Sequence, residues 1–360
     1  MTKLLLFPYH PDIRNLVENR RSLRGFDISG VASFIEDAHL VKPLNDTLGV
    51  GDIEYRTLLA GCDAVLLLDN YRGYREDKYY DIIDDAIVSG KEIIVTPLTA
   101  LQLDLDRYGG AYRILGKSPK ARSGEVVSMS PGKAKLHNIN IPIAAVFGLG
   151  KHCGKFETLL LLKEAFEAEF NVATISSNPL GALFGCYTMP PFLFDSIEFQ
   201  EKVVRFNAYM KDASRAGSPE AIVLSVPEGI MPFESIEFHH FAEYPLAITS
   251  AVQIDMAFLC TYFTGGDIYE RKLRSLVDFC RNRFDLEVDG VAISRTAFEI
   301  PQEEFKGIAY EFLDDRFLRS HYPDVGSVRG IRMVNILDHD SAIATMRAAI
   351  ARLEGNAGVV

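Results

Sequence analysis

The residues of this chain best suited to chemistry lie between positions 148 and 158, in the run GLGKHCGKFET. Gly148, Gly150 and Gly154 allow successive backbone N–H groups to curl around an anion, and Lys155 adds a mobile positive charge. The apolar run before them and the helical pattern after them are typical of a strand–loop–helix unit. The pattern therefore predicts a phosphate-binding loop that holds ATP or GTP.

The loop departs from the usual pattern, G-x-x-x-x-G-K-[ST], at two positions. Aligned on Gly154 and Lys155, it has Leu149 in place of the first glycine and Phe156 in place of the hydroxyl residue. That hydroxyl normally ligates Mg²⁺, which neutralises phosphate charge during transfer. Because phenylalanine cannot ligate a metal, the sequence favours phosphate binding over hydrolysis.

The residues predicted to bind the nucleotide all lie in this loop or at the start of the helix that follows it. They are Gly148, Gly150, Lys151, His152, Cys153, Gly154, Lys155, Phe156 and Glu157. Lys155 is also the candidate catalytic cation. The ordinary alternatives are a glycine-rich turn without a ligand, a solvent-facing His152 and an exposed Glu157 near the helix N-terminus.

A carboxylate for Mg²⁺ is expected at the end of a second buried strand. Glu228 follows the apolar run AIVLSVP, so it is assigned a catalytic and a metal-binding role. Thr158 lies one helical turn beyond Lys155 and could hold the metal through a water or at a shifted position. Asp255 is a weaker candidate because it precedes a strand, and Glu228 has the alternative of an ordinary solvated carboxylate.

Composition excludes several classes of protein. A formal net charge of −11 disfavours nucleic-acid binding, which needs a cationic face. The chain has no long uninterrupted apolar run and no signal peptide, so we expect a cytoplasmic protein that does not enter a membrane. Five scattered cysteines without a C-x-x-C pair indicate reduced thiols rather than disulfides or a zinc site.

The spacing of apolar residues predicts an α/β fold with two domains. Residues 1–116 alternate strands and helices in the manner of a small flavodoxin-like or Rossmann-like parallel sheet. Residues 117–140 are basic and rich in Ser, Gly and Pro, which indicates a linker or, alternatively, a basic lip over a phosphate site. Residues 141–360 restart the alternation as a doubly wound P-loop domain.

The spacing of apolar residues also predicts the bounds of most individual strands and helices. Strands are expected at 3–7, 27–33, 64–68, 92–96, 141–147, 172–176, 221–226, 257–262, 291–294 and 331–336. Helices are expected at 12–23, 52–60, 79–89, 155–170, 194–213, 267–284, near 302–314 and at 341–353.

Several segments together resemble the peptide maturation system protein family, which is encoded beside ribosomally made, radical-SAM-modified peptide natural products. The segments are LLLFPYHPDI, GLGKHCGKFETLLLLKEAF, ISSNPLGALFGCYTMPPFLF, AIVLSVPEGIMPF and DMAFLCTYF. The resemblance extends from about Leu4 to Ile300. It implies a role in a natural-product peptide pathway, with a precursor peptide and its modifying enzymes as partners.

The second half is also similar to the group that contains dethiobiotin synthetases, and to an uncharacterised P-loop family whose loop reads G-x-G-x-x-x-G-K-F. This similarity implies that Phe156 is a family trait rather than a local loss. The residues that carry over are Gly148, Gly150, Gly154 and Lys155. Where relatives vary between Gly and Asp or Asn before the lysine, this chain keeps Gly154.

Three functions follow as hypotheses. The first is a nucleotide-binding protein that uses ATP to activate a peptide or carboxylate. The second is a non-catalytic adaptor that presents a precursor peptide to its modifying enzymes. The third is an acyl-transfer or racemisation enzyme whose loop holds a coenzyme A-like donor. The sequence leaves the reaction and the oligomeric state open, although an exposed apolar face on the first domain would favour a homodimer.

Overall fold

The computed structural model describes residues 1–51, 53–70, 73, 76–119, 135–231, 242–264, 269–299, 308–321, 327–328 and 330–357. The chain divides into two units. The first unit contains Met1–Lys117 and Pro179–Thr188, and the second contains Ser118–Asn178 and Met189–Val360. The predicted basic linker lies largely outside the described residues, because 120–134 are not among them.

The described strands are short, as is usual for α/β proteins. They are β1 Thr2–Phe7, β2 Phe26–Val31, β3 Ala64–Leu67, β4 Glu92–Val95, β5 Tyr112–Ile114, β6 Ile143–Gly148, β7 Val172–Ser176, β8 Tyr187–Thr188, β9 Ala221–Ser225, β10 Met256–Thr261, β11 Val288–Ile293, β12 Thr296–Glu299, β13 Ala309–Phe312, β14 Ser327–Val328 and β15 Ile331–Val334.

The described α-helices mostly alternate with these strands. They are α1 Ile13–Glu18, α2 Ala38–Leu48, α3 Tyr55–Gly61, α4 Glu76–Val88, α5 Pro97–Gln102, α6 Lys155–Glu167, α7 Phe199–Ala213, α8 Glu243–Ala251, α9 Tyr269–Phe284, α10 Asp315–His321 and α11 His339–Ala357.

The first unit is built on a parallel sheet with the strand order β2-β1-β3-β4-β5. This is the flavodoxin-like order of a doubly wound fold. Residues 4–7 of β1 and all of β3 are buried, because helices cover both faces of such a sheet. The predicted α/β class is thus confirmed.

The second unit carries a larger sheet, whose strands lie in the order β14-β15-β11-β10-β6-β9-β7. Apart from the antiparallel β14–β15 pair, the neighbours in this order are parallel. Every residue of β6, β9 and β10 is buried. Strand β6 lies between β9 and β10 and is parallel to both. The segments that follow these three strands therefore leave the sheet at the same edge.

Two helices close one face of that sheet. Leu159 and Leu162 of α6 share a core cluster with Met346 of α11 and Phe258 of β10. The long apolar run of α6 fits this position, since one side of the helix meets the sheet and another meets α11. The loop before α6 therefore begins from a rigid strand and ends on a buried helix.

One predicted element is wrong. The helix expected near 302–314 is contradicted by β13, which pairs antiparallel with β12. Tyr310 of β13 lies opposite Phe298 of β12, and Tyr310 and Phe312 share one face of β13, as residues two apart do in a strand. Residues 300–307 lie outside the described residues. In the described part of the chain, no helix has the length and apolar character needed to cross a membrane.

Helix α2 was not predicted from the sequence. One of its side chains, that of Asn45, hydrogen-bonds to β2 at the edge of the first sheet. Asn45 Oδ1 accepts from Val31 N–H at 2.9 Å, and Asn45 Nδ2 donates to Val31 O at 2.9 Å. Asn45 is buried, so these bonds satisfy groups that water does not reach. The side chain makes the two hydrogen bonds with Val31 that a neighbouring strand would otherwise make.

We expect Asn45→Ala to lower the free energy of unfolding by about 2 kcal/mol, because it removes two buried hydrogen bonds and leaves both partners unsatisfied. Urea denaturation measures the loss, and hydrogen exchange at the Val31 amide localises it. Thr47→Ala, at an exposed position of the same helix, is the control. Equal stability of the two variants would contradict the assignment.

Candidate functional site

The loop after β6 has the backbone geometry of an anion cradle. Gly154 precedes α6 in the left-handed conformation, with φ 81°, and His152 also has positive φ, at 53°. Thr158 N–H donates to Gly154 O at 3.0 Å and forms the first turn of the helix. The N–H groups before that turn have no acceptor inside the helix and point out of its N-terminus. They are the groups that bind phosphate in such loops.

Two glycines permit a close approach of the backbone at this site. A Cβ on Gly148 would lie 2.2 Å from Cys153 Sγ, and a Cβ on Gly229 would lie 2.3 Å from Leu149 O. Ile230 N–H donates to Gly148 O at 2.9 Å and connects the two segments. The loop is thus packed directly against the segment that follows β9. Sequence reasoning missed Gly229, because the contact joins residues far apart in the chain.

Lys155 reaches from the first residue of α6 into the space between these segments. Its Nζ donates to Gly150 O and to Glu228 O, each at 2.6 Å. The Cys153 thiol also donates to Gly150 O, at 3.1 Å. Within the described part of the chain, both oxygen partners of the ammonium group are neutral carbonyls, which solvate its charge without neutralising it.

Glu228 reaches the site through its backbone, whose carbonyl oxygen accepts from Lys155 Nζ. Its φ is 55°, an uncommon conformation for a residue other than glycine. Burial raises the pKa of Tyr244 to about 12, and the negative charges of Glu228 and then Glu243 add to the effect. The Glu228 carboxylate therefore lies close enough to Tyr244 to act on its phenol. The structure places the backbone carbonyl of Glu228 beside Lys155, and the catalytic and metal-binding role of its carboxylate stays a prediction.

Glu157 is held by an arginine that sequence reasoning did not identify. Arg295 Nη2 donates to Glu157 Oε1 at 2.9 Å, and Arg295 Nε donates to the same atom at 3.1 Å. Arg295 also pairs with Asp315. The side chains of Glu157 and Arg295 are only 14% and 15% exposed, so Glu157 is not the exposed helix residue of the alternative reading. The available signal was a polar Ser-Arg-Thr run directly after the buried strand β11.

Phe156 and Thr158 face the protein interior. Phe156 is 6% exposed and Thr158 is 1% exposed. The Cys260 thiol donates to Thr158 Oγ1 at 3.3 Å, and burial raises the pKa of that thiol. Among the residues that the structure describes, no group of three or more His, Cys, Asp and Glu side chains could hold a metal ion.

Aromatic residues surround the other side of the loop. The Tyr262 hydroxyl donates to Lys151 O at 2.5 Å. The His152 ring meets Tyr310 edge-on, with the centroids 5.0 Å apart, and its centroid lies 5.7 Å from that of Phe312. The β12–β13 hairpin, where a helix was expected, thus supplies a wall beside Lys151 and His152.

Asp255 lies at the opposite edge of the sheet from the loop. Its Oδ2 accepts from Ile143 N–H at 2.8 Å, at the point where β6 begins. Burial raises its pKa, and the bond from Ile143 N–H partly opposes the rise. The residue connects the starts of two strands rather than contributing to the site.

The comparisons with known proteins support the fold but do not identify the chain. No family model matches it, and no curated protein is similar to it in sequence. A crystal structure of a DUF1611 family protein from Anabaena variabilis is similar over 97% of this chain and 100% of its own, with a TM-score of 0.55 and 10% identity. At that identity the likeness concerns the α/β fold alone.

A second solved structure, of a pseudomurein peptide ligase type C from Methanothermus fervidus, matches 81% of this chain and 44% of its own. The identity is 11% and the TM-score is 0.25, which is too low to indicate a shared overall fold.

We expect Gly229→Ala to destabilise the second unit by at least about 2 kcal/mol, because the added methyl group would overlap the backbone of Leu149 and Gly150. Thermal unfolding measures the loss. The control is Gly61→Ala, where a Cβ meets nothing within 4 Å and where alanine favours the helix by up to about 1 kcal/mol. A Gly229→Ala protein as stable as the wild type would show that the two segments are not tightly packed.

Proposed function

We propose that the second unit binds the phosphate groups of ATP or GTP at residues 148–155. The observation that carries the proposal is the position of Lys155, whose ammonium group bridges the loop and the end of β9 through Gly150 O and Glu228 O. A phosphate is a stronger partner for an ammonium group than a neutral carbonyl, because both groups are then charged. Lys155 can exchange these carbonyls for a phosphate by rotating its side chain.

The rest of the loop supports the same ligand. The helix dipole of α6 and the N–H groups of its first turn favour an anion at Gly154 and Lys155. Lys151 and His152 lie within the loop and can add further contacts to the phosphates. Glu157, which would repel an anion, is paired with Arg295, which offsets part of its charge because the same arginine also pairs with Asp315.

A Mg²⁺ ion would find few ligands here, and the residues present fit a water-rich mode of binding. Mg²⁺ commonly keeps several waters and uses one or two carboxylates with the phosphate oxygens. Glu228 is the candidate carboxylate, because its backbone already contacts Lys155. Thr158 would have to leave its contact with Cys260 to take part. A bound ion would supply neutralisation of phosphate charge.

The proposed reaction class is ATP-dependent activation of a peptide or carboxylate in a peptide maturation pathway. Its support is the sequence resemblance of the loop and its neighbours to peptide maturation proteins and to the dethiobiotin synthetase group. Lys155 would then stabilise the charge that develops on the phosphate during transfer. Glu228 would orient the metal or the acceptor at the end of β9.

A second candidate is a nucleotide-binding adaptor without turnover. The observation that favours it is the absence of a hydroxyl at position 156, together with the burial of Thr158. A site of this kind would hold the nucleotide for structural reasons while another surface presents a peptide to modifying enzymes.

The binding proposal is tested with a lysine variant. We expect Lys155→Met to weaken ATP or GTP binding about 10- to 100-fold, the loss typical of one charge-assisted contact. Titration calorimetry with each nucleotide measures the affinity. Lys163→Met, two turns further along α6, is the matched control and should bind as the wild type. Wild-type protein that binds neither nucleotide at millimolar concentration would refute the proposal.

Turnover separates the two candidates. If the protein is an enzyme, ATP and Mg²⁺ should yield ADP in the presence of the cognate precursor peptide, and Glu228→Gln should reduce the rate by at least tenfold because it removes the carboxylate that holds the metal. Coupled measurement of ADP release gives the rate. Tight nucleotide binding without turnover, with the cognate peptide present, would favour the adaptor.

A further inference from the structure

A pocket of about 580 Å³ opens beside the phosphate loop, within the second unit. Leu149 of the loop, Met231 after β9 and Thr261 at the end of β10 line one side, and residues of α9 line the other. The volume lies within the usual range of small-molecule sites. The residues proposed to contact the nucleotide do not line this pocket. Leu149, which lies between Gly148 and Gly150 of the loop, does line it.

We infer that this pocket binds a small molecule with an apolar, aromatic-sized body and a carboxylate group. The inference deepens the proposed function by naming the substrate class of the site, and to that extent it rests on the proposed function. Binding of the carboxylate itself does not depend on the nucleotide.

The lining favours an apolar body for the ligand. Tyr262, Phe279 and Phe298 contribute aromatic rings, and Leu273 and Leu276 add aliphatic surface from α9. Tyr262 and Phe298 already meet edge to face, with centroids 4.7 Å apart, so the wall is packed before a ligand binds. Such surfaces hold an apolar group by excluding water.

The charges at the pocket favour an anion. Among the described residues, the charged side chains that line it are those of Arg271 and Lys272, both cations, although the chain as a whole carries a net charge of −11. Both residues are exposed, so they stand where a polar end of the ligand would meet water. A carboxylate matches the fork of an arginine and the point charge of a lysine.

The test uses an acid and its uncharged amide, without nucleotide. We expect 3-phenylpropionate to bind the full-length protein at least tenfold more tightly than 3-phenylpropionamide in titration calorimetry. N-acetyl-phenylalanine is a second probe, since tighter binding of it would indicate the end of a peptide rather than a free acid. Equal affinity for acid and amide, or no binding of either acid at millimolar concentration, would overturn the inference.

Paired variants locate the carboxylate. Arg271→Gln with Lys272→Gln should abolish the preference for the acid. Arg274→Gln with Arg283→Gln removes the same charge from exposed positions of α9 that do not line the pocket, so it should keep the preference. Equal loss in both pairs would show a general charge effect and would contradict a site at Arg271 and Lys272.

Failure of this inference can be distinguished from failure of the proposed nucleotide site. Lys155→Met should lose nucleotide binding and still bind 3-phenylpropionate as the wild type does. Displacement of the bound acid by adenosine would reassign the pocket to the nucleobase and overturn the inference, while leaving nucleotide binding intact.

Discussion

The close approach of two backbone segments, at Gly148 and at Gly229, is the constraint on which the candidate site depends. A side chain at Gly229 would separate the loop from the end of β9, and one at Gly148 would overlap Cys153 and Lys155 within the loop. The separation would remove the carbonyl of Glu228 from the reach of Lys155. The parallel pairing of β6 with β9 makes the approach possible, because it brings the ends of both strands to one edge of the sheet.

The charged residues around this contact fall into two groups, an ion pair at the start of α6 and the ammonium group of Lys155. Arg295 pairs with Glu157 at the start of α6 and also with Asp315, so it offsets part of the acidic charge that would oppose an anion there. Lys155 is solvated by carbonyl oxygens and so keeps its charge available. The ion pair thus stabilises the helix start, while the lysine remains the group that can move. A protein with an acidic surface can bind an anion at such a site because the local field, not the net charge, decides binding.

The sequence was sufficient for the parts of the structure that local patterns determine. The apolar runs predicted the parallel strands, and β7 was found at its expected bounds, Val172–Ser176. The pattern of glycines and lysine placed the strand–loop–helix unit, since each of its residues acts on its near neighbours. Helix α2 was missed although Leu40, Val41, Leu44 and Leu48 recur at helical spacing; it contains Pro43, and proline usually breaks a helix.

The residues that were missed act through contacts between distant parts of the chain. Gly229 matters because of Leu149, and Arg295 matters because of Glu157; neither partner can be read from spacing. Strand β13 was misassigned to a helix and β12 was not predicted, because four-residue strands carry too little periodicity to identify a strand or exclude a helix. Pairing across the chain, rather than local propensity, decided those elements.

The amide of Asn45 has a consequence for the behaviour of the protein in a crowded solution. β2 is at one edge of the first sheet, and an exposed edge offers backbone groups to which a foreign strand can add. Asn45 occupies the N–H and the C=O of Val31 with a side chain that carries the same two polar groups as a peptide bond. At that position the sheet is already completed by its own helix, so growth by edge-to-edge aggregation is blocked there.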